Sequence, residues 1–324
     1  MVKPEQLKKG DRVAIIAPST PADPDKVRRS EKGLRALGLE PVYYPSCFSH
    51  HGHLAGTDDV RLKDIHDAFG DTTIKGIICL KGGSGATRLL DKIDYGIISR
   101  HPKVFVGYSD ITALHMAFQK KCDLVTFHGP MALSDMYHYE NDTVEFDPFT
   151  YESYHSNLFG EGPLGEIVNP EAFPLGSLVG GQAEGQLVGG NLSLLISTLG
   201  SPYEIDTKGK ILFIEEVHES AYVVDRMLCA LALAGKFREC AGIILGTWTD
   251  CIQEEKKSYG GKDLSLEEIF EEVIKPWGKP TITGLYAGHN TPQLMFPLGV
   301  HVKLDADLKT ITITESPYKG VLNE

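Results

Sequence analysis

The sequence predicts an α/β protein of two domains. The first is a parallel-sheet domain of Rossmann or flavodoxin type, and the second is a mixed α/β domain. Three observations carry that expectation. Up to His128-Gly-Pro130, short unbroken apolar runs alternate with longer amphipathic stretches, as expected of parallel strands covered by helices on both faces. Residues 131–185 then become rich in aromatic, acidic, Gly and Pro residues, with weak periodicity. From Gly185 a second α/β pattern begins, which places the domains at residues 1–160 and 161–324.

Taken in order, residues 12–17 form the first buried strand. Asp23-Pro24 supplies an N-cap and a first-turn proline for a helix that stops at Gly38. Residues 41–44 are a second strand, and residues 58–69 a helix ending at Gly70. Residues 75–80 are a third strand, followed by the glycine loop 82–85 and a further helix. Residues 103–106 are a fourth strand that breaks at Gly107-Tyr-Ser-Asp110 into a helix over 112–119. The 131–185 segment reads as the crossing between domains, with short helices or a lid. In the second half, Gly189-Gly190 reads as a turn into a helix. Residues 211–214 and 242–246 are strands, and 220–234 and 264–274 are helices. Residues 282–285 lead into Tyr286-Ala-Gly-His-Asn290, and residues 299–304 and 310–314 form an antiparallel pair.

Composition removes several classes of function. With 32 basic and 44 acidic residues the net charge is −12, so the chain has no general attraction for nucleic acid or an anionic membrane surface. No stretch approaches the ~20 apolar residues of a membrane span. The apolar segment after Lys8 and Lys9 runs into Pro18, too short for a secretion signal, and a cytoplasmic location is expected. The six cysteines are scattered without a C-x-x-C pair and read as buried free thiols. His50, His51 and His53 lack acidic or cysteine partners at ligand spacing. They read as a solvated loop, and neither a metal nor a cofactor is expected.

The chemistry gathers at strand ends. A serine where a strand breaks sharply into a helix has the geometry of a nucleophile elbow, but Gly107-x-Ser109-x-Ile111 lacks the second glycine of that pattern. Ser109 is therefore either a nucleophile or a helix N-cap. Gly82-Gly-Ser-Gly85 fits no phosphate-binding fingerprint. It is either half of an oxyanion hole, completed by the N–H of Asp110, or a plain strand-to-helix turn. Glu215-Glu216 closes an apolar strand, where a solvated strand end is the ordinary explanation. His289 lies on a loop after a strand, where a surface role is ordinary. Serine, acid and histidine nonetheless occur in the order that one serine-hydrolase fold uses for its triad.

Taken together, these motifs make the chain resemble the LD-carboxypeptidases, the serine peptidase family that also contains the microcin C immunity peptidases. The resemblance rests on Leu54-Ala-Gly-Thr57, Cys79-Leu-Lys-Gly-Gly-Ser-Gly85 with Arg88-Leu-Leu90, and Gly107-Tyr-Ser-Asp-Ile-Thr-Ala-Leu114. It rests equally on His128-Gly-Pro130, Gly189-Gly-Asn-Leu192, Ile214-Glu-Glu216 and Ala287-Gly-His289. It implies Ser109 as nucleophile, Glu215 as acid and His289 as base, with the N–H groups of Asp110 and Gly83 holding the oxyanion. A cation for the substrate's terminal carboxylate is sought among Lys81, Arg88 and Arg226; ion pairing on a helix surface is the competing explanation for the two arginines.

The family resemblance implies the substrate, a murein tetrapeptide losing its terminal D-alanine, and a homodimer that works without metal or cofactor. Lys81 and Ser84 stand where the family usually has arginine and tyrosine, which bears on specificity. Two alternatives stand beside this reading. One is an immunity-type peptidase acting on peptidyl-nucleotides, which would stack a base on aromatics such as Tyr137, Tyr139, Phe146, Phe149, Tyr151 and Phe159. The other is a non-catalytic nucleotide-binding α/β module.

Overall fold

The computed structural model describes residues 1–134, 136–140, 143–160, 164–253, 255–256 and 261–320. They form two compact units, one from Met1–Leu164 with Thr291–Val300 and Glu315–Glu324, the other from Gly165–Asn290 with His301–Thr314. The chain thus returns twice from its second half to the first unit.

The first unit carries a six-stranded sheet in the order Phe296–Leu298, Thr126–His128, Val104–Gly107, Gly76–Cys79, Arg12–Ile16, Glu40–Tyr43. The five strands from the first part of the chain are parallel, and their order is the flavodoxin-like one. Every residue of Gly76–Cys79 and Val104–Gly107 is buried, which is why these runs lack polar alternation. The sixth strand arrives from far along the chain and pairs antiparallel, Phe296 with His128 and Leu298 with Thr126. Pairing across that separation has no local sequence signal, so this strand is absent from the sequence-based element order.

Helix Pro24–Ala36 is capped as expected: Asp23 accepts hydrogen bonds from the N–H groups of Asp25 and Lys26. Its mid-helix Gly33 leaves room for the Tyr137 ring, which would collide with any Cβ there. Tyr137 begins a hairpin, Tyr137–Glu140 with Thr143–Phe146, and helix Pro148–Phe159 follows. Within the 131–185 segment these elements join the core of the first unit: Tyr137 and Tyr154 are buried, and Phe146, Tyr151 and Phe159 pack against them.

The second unit is a mixed sheet. Its order is Gly165–Glu166, Thr310–Ile313, His301–Asp305, Gln182–Asn191, Ile211–Val217, Gly242–Thr249, Thr281–Thr283, Gly176–Val179. The stretch from Gln182–Asn191 to Thr281–Thr283 is parallel, and the strands flanking it pair antiparallel. His301–Asp305 and Thr310–Ile313 form the expected antiparallel pair.

Three expectations need correction. Gly189 and Gly190 are not a turn but the end of strand Gln182–Asn191, and the helix begins only at Leu192. Their glycine identity reflects close approach: Gly189 has φ +132° and a Cβ on it would overlap the carbonyl of Phe213 on the next strand. The segment after the 82–85 loop is a 3-10 helix, Ala86–Lys92, followed by a short α-helix at Tyr95–Arg100. Among the free thiols, Cys229 is only partly buried.

Candidate active site

Strand Val104–Gly107 ends in a single 3-10 turn, Ser109–Ile111, which runs into helix Thr112–Cys122. Ser109 sits in that turn with φ +64°, the left-handed region that costs a non-glycine residue roughly 1–2 kcal/mol. The N-cap reading fails, because its hydroxyl makes no cap bond, bonds to nothing among the described residues of the first unit, and Ile111 stands at the cap of the helix. Instead the turn presents Ser109 beside the helix N-terminus, where backbone N–H groups lack intrahelical acceptors. The tightness of the elbow shows at Gly107, where a Cβ would lie 2.7 Å from Cγ2 of Ile111. Below the turn, the buried His115 ring places Nε2 2.9 Å from the Gly107 carbonyl and donates to it.

Beside the elbow, the loop after strand Gly76–Cys79 comes so close that a Cβ on Gly82 would lie 2.8 Å from both Cβ and Oγ of Ser109. A buried polar network fixes this loop. The Asp110 carboxylate accepts from Ser19 Oγ at 2.6 Å and from the Ala86 N–H at 2.9 Å. Burial raises its pKa, and those two bonds oppose the rise. Arg61, fully buried, donates from Nη1 to the carbonyls of Pro18 and Gly85 and from Nη2 to Asp58. Thr20 donates its hydroxyl to the Gly82 carbonyl at 2.6 Å. Among the described residues of this unit the N–H groups of Gly83 and Asp110 have no acceptor, so both remain available to a ligand oxygen.

In the second unit, Glu215 and Glu216 are not a solvated strand end. They are 0% and 2% exposed, and they point in opposite directions from strand Ile211–Val217. Glu216 is structural: it accepts from Asn191 Nδ2 and from the N–H and Oγ of Ser193, at the start of helix Leu192–Ser197. Glu215 turns the other way, and its Oε2 accepts from His289 Nδ1 at 2.8 Å. The pairing with strand Gly242–Thr249 shifts register here: Gly246 and Thr247 together stand opposite Glu215, a bulge on the facing strand. The loop carrying His289 is held by Thr247, whose Oγ1 lies 2.9 Å from Oδ1 of Asn290, and by the Ala287 carbonyl accepting from the Thr247 N–H. Burial raises the Glu215 pKa and the His289 bond counteracts it. His289 is 18% exposed, so it is neither sealed in the core nor a surface group.

The structure thus brings Glu215 and His289 together, and Ser109, Asp110 and the glycine loop together. Among the three candidate cations, Arg88 is taken up by Asp58, which also binds Lys92. Arg226 is exposed on helix Ala221–Leu233. Lys81, partly buried and next to Gly82, forms no ion pair among the described residues. His50, His51 and His53 are exposed.

Sequence comparison finds a family profile for each half of this chain. Residues 13–129 match the profile of the LD-carboxypeptidase N-terminal domain, and residues 184–304 that of the LD-carboxypeptidase C-terminal domain. The chain belongs to the LD-carboxypeptidase family. A Bacillus subtilis protein named as a probable murein peptide carboxypeptidase is 42% identical over 320 residues, covering 99% of this chain and 97% of the relative. MccF, solved with glutamyl sulfamoyl guanosine, superposes with a TM-score of 0.86 at 27% identity, over 98% of this chain and 100% of MccF. A muramoyltetrapeptide carboxypeptidase from Oxalobacter formigenes gives a TM-score of 0.79 at 28% identity, over 93% and 97% of the two chains.

Sequence reasoning about this LD-carboxypeptidase family member missed the residues that support the site. Ser19 and Thr20 follow the first strand, which neighbours the third in the sheet. These are the two strands at which the order of the parallel sheet reverses, where ligands gather in such sheets, so their position alone could have drawn attention to them. Arg61 carries no comparable signal, because only its neighbours in space give it a role.

Proposed function

We propose that the protein is a serine LD-carboxypeptidase that removes the terminal D-alanine from murein tetrapeptides. The observation that carries this reading is the Glu215–His289 pair. A buried carboxylate accepting from Nδ1 fixes the tautomer that leaves the Nε2 lone pair to act as base. In the reaction, Ser109 Oγ attacks the scissile carbonyl carbon while its proton passes to Nε2 of His289. The oxyanion is held by the N–H groups of Gly83 and Asp110. The tetrahedral intermediate collapses with cleavage of the C–N bond, and the imidazolium returns the proton to the departing D-alanine amine. Water, deprotonated by the same imidazole, then hydrolyses the acyl-enzyme. Lys81 is the cation best suited to the terminal carboxylate, since Arg88 is occupied by Asp58.

The likeness to MccF supports a second reading, cleavage of peptidyl-nucleotides or acyl-sulfamoyl adenylates. Of the aromatic residues that could stack a base, Tyr137 is buried in the first unit's core and Phe146, Tyr151 and Phe159 are partly buried against it, which leaves Phe149, also partly buried; the Tyr139 side chain lies outside the described residues. The deciding assay incubates purified protein with L-Ala-γ-D-Glu-diaminopimelate-D-Ala and, separately, with a glutamyl sulfamoyl adenosine. D-alanine release that is lost in Ser109→Ala supports the first reading; turnover of the nucleotide alone supports the second. Saturable nucleotide binding without fluorophosphonate labelling of Ser109 would point to a non-catalytic module. A cytoplasmic homodimer belongs to the same proposal, and light scattering on the purified protein tests the oligomer.

A further inference from the structure

Thr20 sits in the loop after the first strand and is partly buried. Its Oγ1 donates to the Gly82 carbonyl at 2.6 Å, and its side chain fills the space that a Cβ on Gly83 would need. The Gly82–Gly83 peptide is trans and planar, so its C=O and N–H point in opposite directions. Holding the carbonyl toward Thr20 therefore turns the Gly83 N–H away from Thr20 and leaves it without an acceptor among the described residues of the first unit. Gly83 itself has φ +119°, a region in which a glycine peptide rotates at little cost unless something external fixes it. On the other side of the same loop, Gly82 lies against Ser109.

We propose that Thr20 is a positioning residue for the oxyanion hole, its hydroxyl locking the Gly82–Gly83 peptide so that the Gly83 N–H faces the oxygen of the tetrahedral intermediate. The proposal rests on Ser109 as the nucleophile. Thr20 touches neither the substrate nor the reacting atoms; it acts through one peptide plane. Asp110 and Arg61 grip the far end of the loop at residues 85 and 86, leaving the Gly82–Gly83 peptide to Thr20. The role is consistent with the physics of such sites, where preorganised donors stabilise charge that develops only in the transition state.

The test compares Thr20→Val with Thr20→Ser. Valine keeps the shape but sets a methyl where an oxygen stood 2.6 Å from the carbonyl, which forces the peptide to turn. Serine keeps the donor. With D-alanine release as the assay, Thr20→Val should lower kcat by roughly tenfold to a hundredfold with KM within about threefold, and Thr20→Ser should stay within about threefold of wild type in both. A tetrahedral phosphonate analogue of the scissile bond should lose affinity for Thr20→Val by the same factor as kcat/KM. Thermal unfolding of each variant separates these effects from misfolding. An unchanged kcat in a folded Thr20→Val protein overturns the proposal while leaving the peptidase reading intact. An equal loss in Thr20→Ser also overturns it, since packing rather than the hydroxyl would then be at work. If the wild type neither releases D-alanine nor reacts with a fluorophosphonate at Ser109, the peptidase reading fails and this proposal fails with it.

Discussion

Nδ1 of His289 lies 2.8 Å from Oε2 of Glu215, and the contact exists because residue 288 is glycine. A Cβ on Gly288 would lie 2.8 Å from that same Oε2 and 2.5 Å from Oγ1 of Thr247, and its φ is +134°. The backbone before the histidine thus occupies space that any side chain would deny to the acid. Gly246 makes the same allowance from the neighbouring strand, where a Cβ would come within 3.1 Å of the Glu215 Cβ.

Replacing Glu215 by Gln tests the pair. The amide would keep the shape but offer Nδ1 a donor as readily as an acceptor, so the tautomer would no longer be fixed. D-alanine release should fall by about 10³–10⁴ in kcat. The melting temperature should hold or rise, because the wild-type carboxylate is fully buried and its Oε1 has no hydrogen-bond partner among the described residues.

Strain at Ser109 predicts a trade of stability against activity. Ser109→Ala and Ser109→Gly should both be inactive, but only glycine relaxes the left-handed backbone. Chemical denaturation should find Ser109→Gly more stable than Ser109→Ala by about 1 kcal/mol.

Lys81→Met should weaken recognition of the free terminal carboxylate. KM for the tetrapeptide should rise about tenfold, with kcat changing less than threefold, the loss expected of one charge-assisted contact at a partly exposed site. A substrate with an amidated C-terminus should not distinguish the variant from wild type. If it does, Lys81 serves another part of the substrate.

His115 predicts a pH dependence of stability. Its ring is fully buried beneath the elbow, and desolvation pushes its pKa down to about 4, with the bond to Gly107 opposing it. The unfolded chain, with an ordinary histidine pKa near ~6.5, binds the proton first as pH falls. The contribution is therefore complete above about pH 6.5 and is lost progressively down to about pH 4. Between pH 7 and 5 the wild type should lose about 2 kcal/mol more than His115→Gln, measured by urea unfolding of both proteins. Parallel curves would show that the ring titrates normally.

Much of the architecture could be read from the chain because its signals are local. Buried parallel strands write themselves as unbroken apolar runs, Asp23-Pro24 and Gly38 bracket a helix, and the Gly107–Asp110 break marks the elbow. Family motifs then selected Ser109, Glu215 and His289 from residues whose individual signals were weak. What remained illegible depends on distant neighbours. Phe296–Leu298 reads as a loop until it meets Thr126–His128, and Gly189-Gly190 reads as a turn until Phe213 lies across it.

By itself, then, the sequence determined which residue types stand at which strand ends, and hence the chemistry available to the protein. Tertiary structure alone decided that both adjacent glutamates are buried and that Glu216 holds a helix start, because its partners Asn191 and Ser193 come from another segment of the chain. It also decided that the glycine loop is held rigid by Thr20, Asp110 and Arg61, since hydrogen bonds between segments tens of residues apart leave no periodic trace in the chain that makes them.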